Sequence, residues 1–291
     1  MNILLTGASG FIGHNIATAL SAAGHRIKPV SRSNGVDFCR MLSPADWLAQ
    51  LEGIDAVINC VGIIGESGAQ RFEPLHSLAP AALFRACSQA GVRRVIQLSA
   101  LGTDETAFSA YHLSKRAADD CLRSLDVDWF VLRPSLIYGR GGKSAELFMR
   151  LAALPRIPVI ADGQQSLQPV HISDVVATVL HSLTTPETRQ TLDIVGSEAI
   201  TFAEWLQWMR QAQGLPRARL LRIPFPLAVA GAYLGRYFNP MLQPENLCML
   251  QTGYWADVHP LAQFLGRMPL TVEPRLFFCD AVQNMSAGSP S

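Results

Sequence analysis

Tyr111 and Lys115 stand four positions apart in the stretch Tyr111-His112-Leu113-Ser114-Lys115. On a helix that spacing puts both side chains on one face. A phenol whose ordinary pKa lies near ~10 exchanges protons poorly at neutral pH. An ammonium beside it stabilises the phenolate and makes proton exchange with a carbonyl or an alcohol feasible. Such a pair by itself is usually decoration on a solvated helix. Its position gives it weight: it follows an apolar strand ending in Ser99 and lies downstream of a glycine-rich turn.

That turn reads Thr6-Gly7-Ala8-Ser9-Gly10-Phe11-Ile12-Gly13. Gly7 allows a tight reversal, Gly10 lets the backbone approach a pyrophosphate, and Gly13 lets the following helix pack closely on the sheet. Ser9, Phe11 and Ile12 complete the candidate cradle, because a helix N-terminus offers free N–H groups and a partial positive charge to phosphates. The end of the second strand discriminates between dinucleotides. An Asp or Glu there suits the adenosine ribose of NAD. The chain instead has Pro29-Val30-Ser31-Arg32-Ser33. The planar fork of Arg32 suits a 2′-phosphate, helped by the hydroxyl of Ser31 or Ser33, so NADP(H) is expected in preference to NAD(H). The plainer alternative is a solvated loop arginine. Asp37 either accepts from the adenine amino group or is a plain turn residue.

These residues need a scaffold, and the apolar runs supply one. Strands are expected at Asn2–Thr6, Arg26–Val30, Ala56–Asn59, Arg94–Leu98 and Asp128–Arg133. Helices are expected at Phe11–Ala23, Pro44–Leu51, Pro74–Ala90 and Ala110–Leu125. Continuous apolar strands alternating with amphipathic helices imply an α/β fold, a Rossmann-type doubly wound parallel sheet with a smaller C-terminal lobe. We assign residues 1–140 to the cofactor domain, extended by segments near 168–200. Residues 141–285 form a smaller, mostly helical lobe, and 286–291 a frayed tail. In the lobe a helix near Ala145–Ala153 precedes the proline-rich Pro155–Pro158, and Leu192–Val195 reads as a strand. Thr201, with Glu204 three residues on, caps a helix to Gln213. The apolar segment Ile223–Leu234 reads as a helix buried in the lobe, with a membrane-surface or partner-docking helix as the alternative.

The ordered series Thr6–Gly13, Asn59-Cys60-Val61-Gly62, Tyr111–Lys115, Leu132–Gly139 and Gln168–Asp174 resembles the short-chain dehydrogenase/reductase superfamily, in its extended or atypical, epimerase/dehydratase-like branch. The likeness covers roughly residues 1–215. Within the branch it points to the group containing the NADPH-binding accessory subunit of respiratory complex I, through Asn59–Gly65, Gly91–Gly102 and Gln168–Val175. The resemblance implies that Tyr111 is the acid/base and that Lys115 lowers its pKa and holds the nicotinamide ribose. It places Cys60, Val61 and Gly62 beside the adenosine half, and Pro134 and Ser135 near the carboxamide. His171 and Asp174 would start the helix that closes the substrate side, or simply cap and pack it. One departure stands out. Relatives carry a Ser or Thr that binds the substrate oxygen where this chain has Ala100, with Ser99 one residue short; Ser99 or Ser109 is the substitute on offer. From Ser99 to Tyr111 is 12 residues (111 − 99), about half the spacing of sugar-nucleotide members.

Composition narrows the field. Among 291 residues the formal net charge is +1, which gives no electrostatic reason to expect nucleic acid. Six scattered cysteines without a CxxC pair read as reduced thiols, and seven dispersed histidines form no metal motif. No secretory leader and no apolar run of the ~18 residues needed for a span are evident, so a cytoplasmic chain, peripheral to a membrane at most, is expected. The first functional reading is an NADP(H)-binding oxidoreductase acting on a carbonyl or hydroxyl of a small-molecule substrate. The second is a non-turnover NADPH-binding structural or sensory module, docked through the C-terminal lobe on a larger complex or a membrane surface. The third is a nucleotide-sugar epimerase or dehydratase, against which the short 99–111 spacing counts.

Overall fold

The apolar runs Asn2–Thr6, Ala56–Asn59 and Arg94–Leu98 become strands because burial takes nearly every side chain in them. Ile3, Leu4, Leu5, Val57, Ile58, Val95 and Ile96 have no exposed surface, and each such side chain contributes about 1.5–3 kcal/mol of hydrophobic stabilisation. A computed structural model describes residues 1–237, 239, 241–279 and 281; the tail expected at 286–291 lies outside the described residues. In chain order the elements are β1 (Asn2–Thr6), α1 (Phe11–Ala22), β2 (Arg26–Val30), α2 (Pro44–Leu48), β3 (Ala56–Asn59), α3 (Ala79–Ala90), β4 (Arg94–Leu98), α4 (Ala110–Arg123), β5 (Asp128–Pro134), β6 (Ile137–Tyr138), α5 (Lys143–Ala153), β7 (Arg156–Ile160), β8 (Ser166–Leu167), β9 (Val170–His171), α6 (Ile172–Thr184), β10 (Gln190–Ile194), β11 (Ile200–Thr201), α7 (Phe202–Ala212), β12 (Arg219–Ile223), α8 (Phe225–Gly235), α9 (Pro244–Thr252) and α10 (His259–Leu265).

The chain divides into two compact units. The first comprises Met1–Pro134 and Val175–Ile194. It holds a six-stranded sheet in the order β2-β1-β3-β4-β5-β10, parallel throughout. The α/β expectation therefore holds. The winding reverses between β1 and β3, and at such a switch point the loops after neighbouring strands part and leave a crevice at their carboxyl ends. Gly7 follows β1 there, and Cys60–Gly62 follows β3. Pro29 is tolerated inside β2 because β2 is an edge strand, where one row of N–H groups has no partner to lose. A wide helical turn, Glu73–Leu78, runs straight into α3 and brings His76 inward.

The second unit comprises Ser135–Asp174 and the chain from Val195 onward. Its core is built on Tyr138, Trp205 and Phe277, whose ring centroids lie 4.9–5.2 Å apart. The lobe is less purely helical than its sequence suggests. The proline-rich stretch is β7, paired in parallel with β12, and β6-β9 and β8-β11 form two further two-stranded ladders. Proline masks the strand signal, yet in a two-stranded ladder each strand has a free edge that needs no donor. The Thr201–Glu204 capping box forms at the start of α7 as expected. The segment read as a buried helix does form α8, but only Ala232 of that helix is buried, a correction that apolar composition alone would not suggest.

Candidate functional site

The glycine turn is built from contacts no side chain could share. Gly7 has φ +68°, in the left-handed region, and a Cβ there would lie 2.8 Å from the Cys60 carbonyl carbon and oxygen. A Cβ on Gly13 would lie 2.2 Å from the Gly7 oxygen. These two glycines let β1, α1 and the loop after β3 close on one another. Gly10 differs: among the described residues beyond its chain neighbours, the one atom within 4 Å of a Cβ there is the Gly7 oxygen, at 3.3 Å. Gly10 is also the N-cap of α1, with no side-chain cap and no acid in the first turn. Ser9 and Gly10 are exposed, while Phe11 and Ile12 are half-buried. An unfilled space before an uncapped, acid-free helix N-terminus fits a pyrophosphate.

Ser109 caps α4, accepting the His112 N–H at 3.1 Å, and α4 then carries Tyr111, Lys115 and Asp119 at four-residue steps on one face. The Lys115 ammonium is buried and donates to the Leu98 carbonyl at 2.9 Å, which pins it at the end of β4. A Cβ on Gly62 would stand 3.4 Å from the Lys115 Nζ, so the loop after β3 passes directly against this charge. Burial lowers the Lys115 pKa to about 8, and the Asp119 carboxylate partly offsets that loss. Burial also pushes the Cys60 thiol up to about 12.

Tyr111 is boxed by rings. The centroids of Phe72, His76 and His112 lie 5.9, 5.5 and 5.2 Å from its own, all near edge-on. The spacing predicts that Lys115 lowers the phenol pKa, but the balance in the structure runs the other way. Burial raises it above the ordinary value and the Asp119 carboxylate adds to the rise.

His76 is a residue the sequence reading passed over. It is buried, and its Nε2 accepts the Ile63 N–H at 2.9 Å. That nitrogen therefore carries no proton. Nδ1 does, and donates to Ser114 Oγ at 3.0 Å, which donates in turn to the Tyr111 carbonyl at 2.8 Å. Burial, with Lys115 nearby, depresses the His76 pKa to about 2, so the ring is neutral. It ties the Gly62–Ile63 loop to the first turn of α4. Only three-dimensional proximity signals this role.

Ser99, expected to touch substrate, is committed elsewhere. Its hydroxyl donates to Asp119 Oδ2 in a short contact and meets Thr103 Oγ1 at 3.1 Å, with 4% of the residue exposed. Burial raises the Asp119 pKa to about 6, against the hydrogen bond from Ser99. Ser109 is held by its capping bond and by His112 Nδ1 at 3.0 Å. Neither serine presents a free hydroxyl beside Tyr111, so the geometry lends no support to a catalytic role for either.

At the end of β2, Ser31 Oγ donates to the Asn34 side chain at 2.7 Å. Arg32 is exposed, makes no ion pair with a carboxylate among the described residues, and reaches the Gln70 amide oxygen at 3.0 and 3.3 Å when that amide faces it. Asp37 acts as a turn residue: it caps the helical turn Phe38–Arg40, accepting the Cys39 N–H at 3.1 Å. Pro134 closes β5 and its carbonyl accepts from Leu101 at 2.9 Å. Ser135 opens the second unit and donates to the Gln168 carbonyl at 2.5 Å. Within that unit His171 and Asp174 are fully buried fasteners. His171 bonds Ser173 and the Leu276 carbonyl, and Asp174 pairs with Arg267 at 2.7 Å and accepts the Leu270 N–H. This is the packing role weighed for them from the sequence. Among the described residues no group of three metal-ligating side chains forms.

Comparison with known proteins matches residues 3–195 to the NAD dependent epimerase/dehydratase family. The chain is similar to the ceramide reductase of Caulobacter vibrioides, at 28% identity over 79% of this chain and 76% of that one. It is also similar to subunit 9 of the mouse mitochondrial NADH dehydrogenase [ubiquinone] 1 alpha subcomplex, at 23% identity over 80% of this chain and 66% of that one. Among solved structures it resembles UDP-glucuronic acid 4-epimerase from Bacillus cereus in complex with UDP-glucuronic acid and NAD. The TM-score is 0.72 and the identity 16%, over 98% of this chain and all of the other. At that identity the likeness establishes the fold.

Proposed function

This chain belongs to the NAD dependent epimerase/dehydratase family, and from that premise we propose that it is an NADP(H)-using oxidoreductase that interconverts a carbonyl and a hydroxyl on a small molecule. One observation carries the reading: Tyr111 and Lys115 share a face of α4, and the Lys115 ammonium is anchored between Leu98 and Gly62 at the carboxyl ends of β4 and β3. When bound, the dinucleotide supplies or accepts the hydride. The turn from Gly7 to Gly13 would hold its pyrophosphate, Arg32 its 2′-phosphate and Lys115 its nicotinamide ribose. Tyr111 moves the proton. Burial holds the phenol pKa above its ordinary value, so the group is protonated at neutral pH and can donate to a developing alkoxide. The similarity to a ceramide reductase makes an apolar, long-chain carbonyl compound the first substrate class to try.

A second reading, cofactor binding without turnover, draws on the commitment of Ser99 and Ser109 to structural hydrogen bonds. The short Ser99–Tyr111 spacing counts against a nucleotide-sugar reaction, which the fold likeness alone does not carry. The test is NADPH oxidation by the purified protein against long-chain ketones and quinones, with product analysis for UDP-sugars, whose epimerisation or dehydration consumes no net NADPH. Turnover of a ketone supports the proposal. Tight NADPH binding with no turnover on any of the three favours the second reading.

A further inference from the structure

Helix α8 is apolar all round, and among the described residues only its Ala232 is buried. Its inner side packs on α9, with Leu242 close against Gly235. Leu227 is 64% exposed and Leu234 71%, and Ala230 and Gly231 lie open between them. Positions 227, 230, 231 and 234 follow one another at helical spacing, so they form one face. A monomer rarely leaves such a face bare without use.

The chemistry at the two ends of the helix says what that use is. Arg222 stands just before α8 and Arg236 just after it, both exposed. Arg236 lies over the rings of Tyr233 and Tyr237, 5.4 and 5.1 Å from their centroids, and both tyrosines are more than half exposed. Upstream on β12, Arg219 sits opposite Arg156 of β7 in the ladder. None of these four arginines makes an ion pair with a carboxylate among the described residues. From Trp205 to Pro244 the sequence contains five arginines and no Asp or Glu. An apolar face framed by unpaired cations and amphipathic tyrosines matches an anionic lipid surface: leucines enter the acyl boundary, tyrosines sit at headgroup level, and guanidiniums meet phosphates. A second copy of this chain fits poorly, because a two-fold pairing of the face would set arginine against arginine with no acid to separate them. Eleven residues of helix are about 16 Å long, too short to span a bilayer, and no helix among the described residues is long and apolar enough to cross one.

We propose that α8 docks this protein on anionic membranes, lying in the interface plane with Leu227 and Leu234 inserted and Arg222 and Arg236 on lipid phosphates. The proposal does not rest on turnover, and its test reads binding alone. The full chain is sedimented with vesicles of phosphatidylcholine, or of phosphatidylcholine mixed with phosphatidylglycerol. Binding is expected on the mixed vesicles, weaker on the neutral ones, and reduced by salt. Leu227→Glu with Leu234→Glu should lower the apparent affinity at least tenfold with melting temperature and NADPH affinity unchanged, since both sites are exposed. Arg222→Gln and Arg236→Gln should each lower affinity for the mixed vesicles about fivefold. Failure of the wild type to bind mixed vesicles, or undiminished binding by the double leucine variant, overturns the proposal. Concentration-dependent dimerisation in lipid-free buffer, lost in the same variant, assigns the face to a second copy and overturns it as well.

Discussion

His76 and Ser114 are 38 positions apart in the chain and 3.0 Å apart in the fold. Through this bond and the Ile63 N–H on the opposite ring nitrogen, one neutral imidazole ties the loop after β3 to the start of α4. The pH dependence of stability follows. An unfolded histidine titrates near ~6.5, whereas folded His76 is depressed to about 2. Below pH ~6.5 the unfolded chain binds a proton that the folded one refuses, so stability is fully present above that pH and is lost as pH falls toward 2. His76 alone should cost roughly 1 kcal/mol between pH 6.5 and 5.5. Urea melts at the two pH values should show a smaller loss for His76→Gln than for wild type. Equal losses would remove His76 as the cause.

The glycines of the turn should separate by role. Gly10→Val should leave a folded protein that no longer binds dinucleotide, because among the described residues beyond its chain neighbours a Cβ there comes within 4 Å of the Gly7 oxygen alone. Gly13→Val should damage folding itself, since even a Cβ would lie 2.2 Å from that same oxygen. Circular dichroism melts with NADPH titrations would distinguish the two. A Gly10→Val protein with unchanged affinity would show that the turn serves chain reversal only.

NADPH should bind more tightly than NADH, and Arg32→Ala should abolish most of the difference. A charge-assisted contact to the 2′-phosphate is worth about 1.5–3 kcal/mol, or roughly 10- to 150-fold in Kd. Paired titrations of both cofactors on both proteins measure it. Equal affinities in the wild type would end the NADP(H) assignment.

Tyr111→Phe and Ser99→Ala should fail in different ways. Phenylalanine keeps the ring in its aromatic box and deletes the exchangeable proton, so kcat on a reducible substrate should fall about 10²–10⁴-fold with NADPH binding intact. Lys115→Ala should lower both kcat and cofactor affinity. Ser99→Ala removes the donor to buried Asp119. It should cost about 1–3 kcal/mol of stability and leave most of kcat. A collapse of kcat in a stable Ser99→Ala protein would restore that serine to the active site.

The strands and most helices were legible in the sequence because their signals are local: four-residue apolar runs, glycine after a strand, a capping pair such as Thr201 and Glu204. The same locality made the Tyr111–Lys115 spacing and the Gly7–Gly13 turn readable, and it set the family. Three things were decided only by tertiary structure. The commitment of Ser99 to Asp119 and the tie through His76 depend on which side chains meet across strands and helices, and no spacing encodes that. The direction of the Tyr111 pKa shift depends on how deeply the phenol is buried and, second, on the Asp119 carboxylate, and the four-residue spacing to Lys115 encodes no burial. The exposure of α8 depends on what else the second unit has available to cover it. An apolar helix reads as core from composition, but hydrophobicity states only that a surface is driven to leave water, not whether its own chain or another phase receives it.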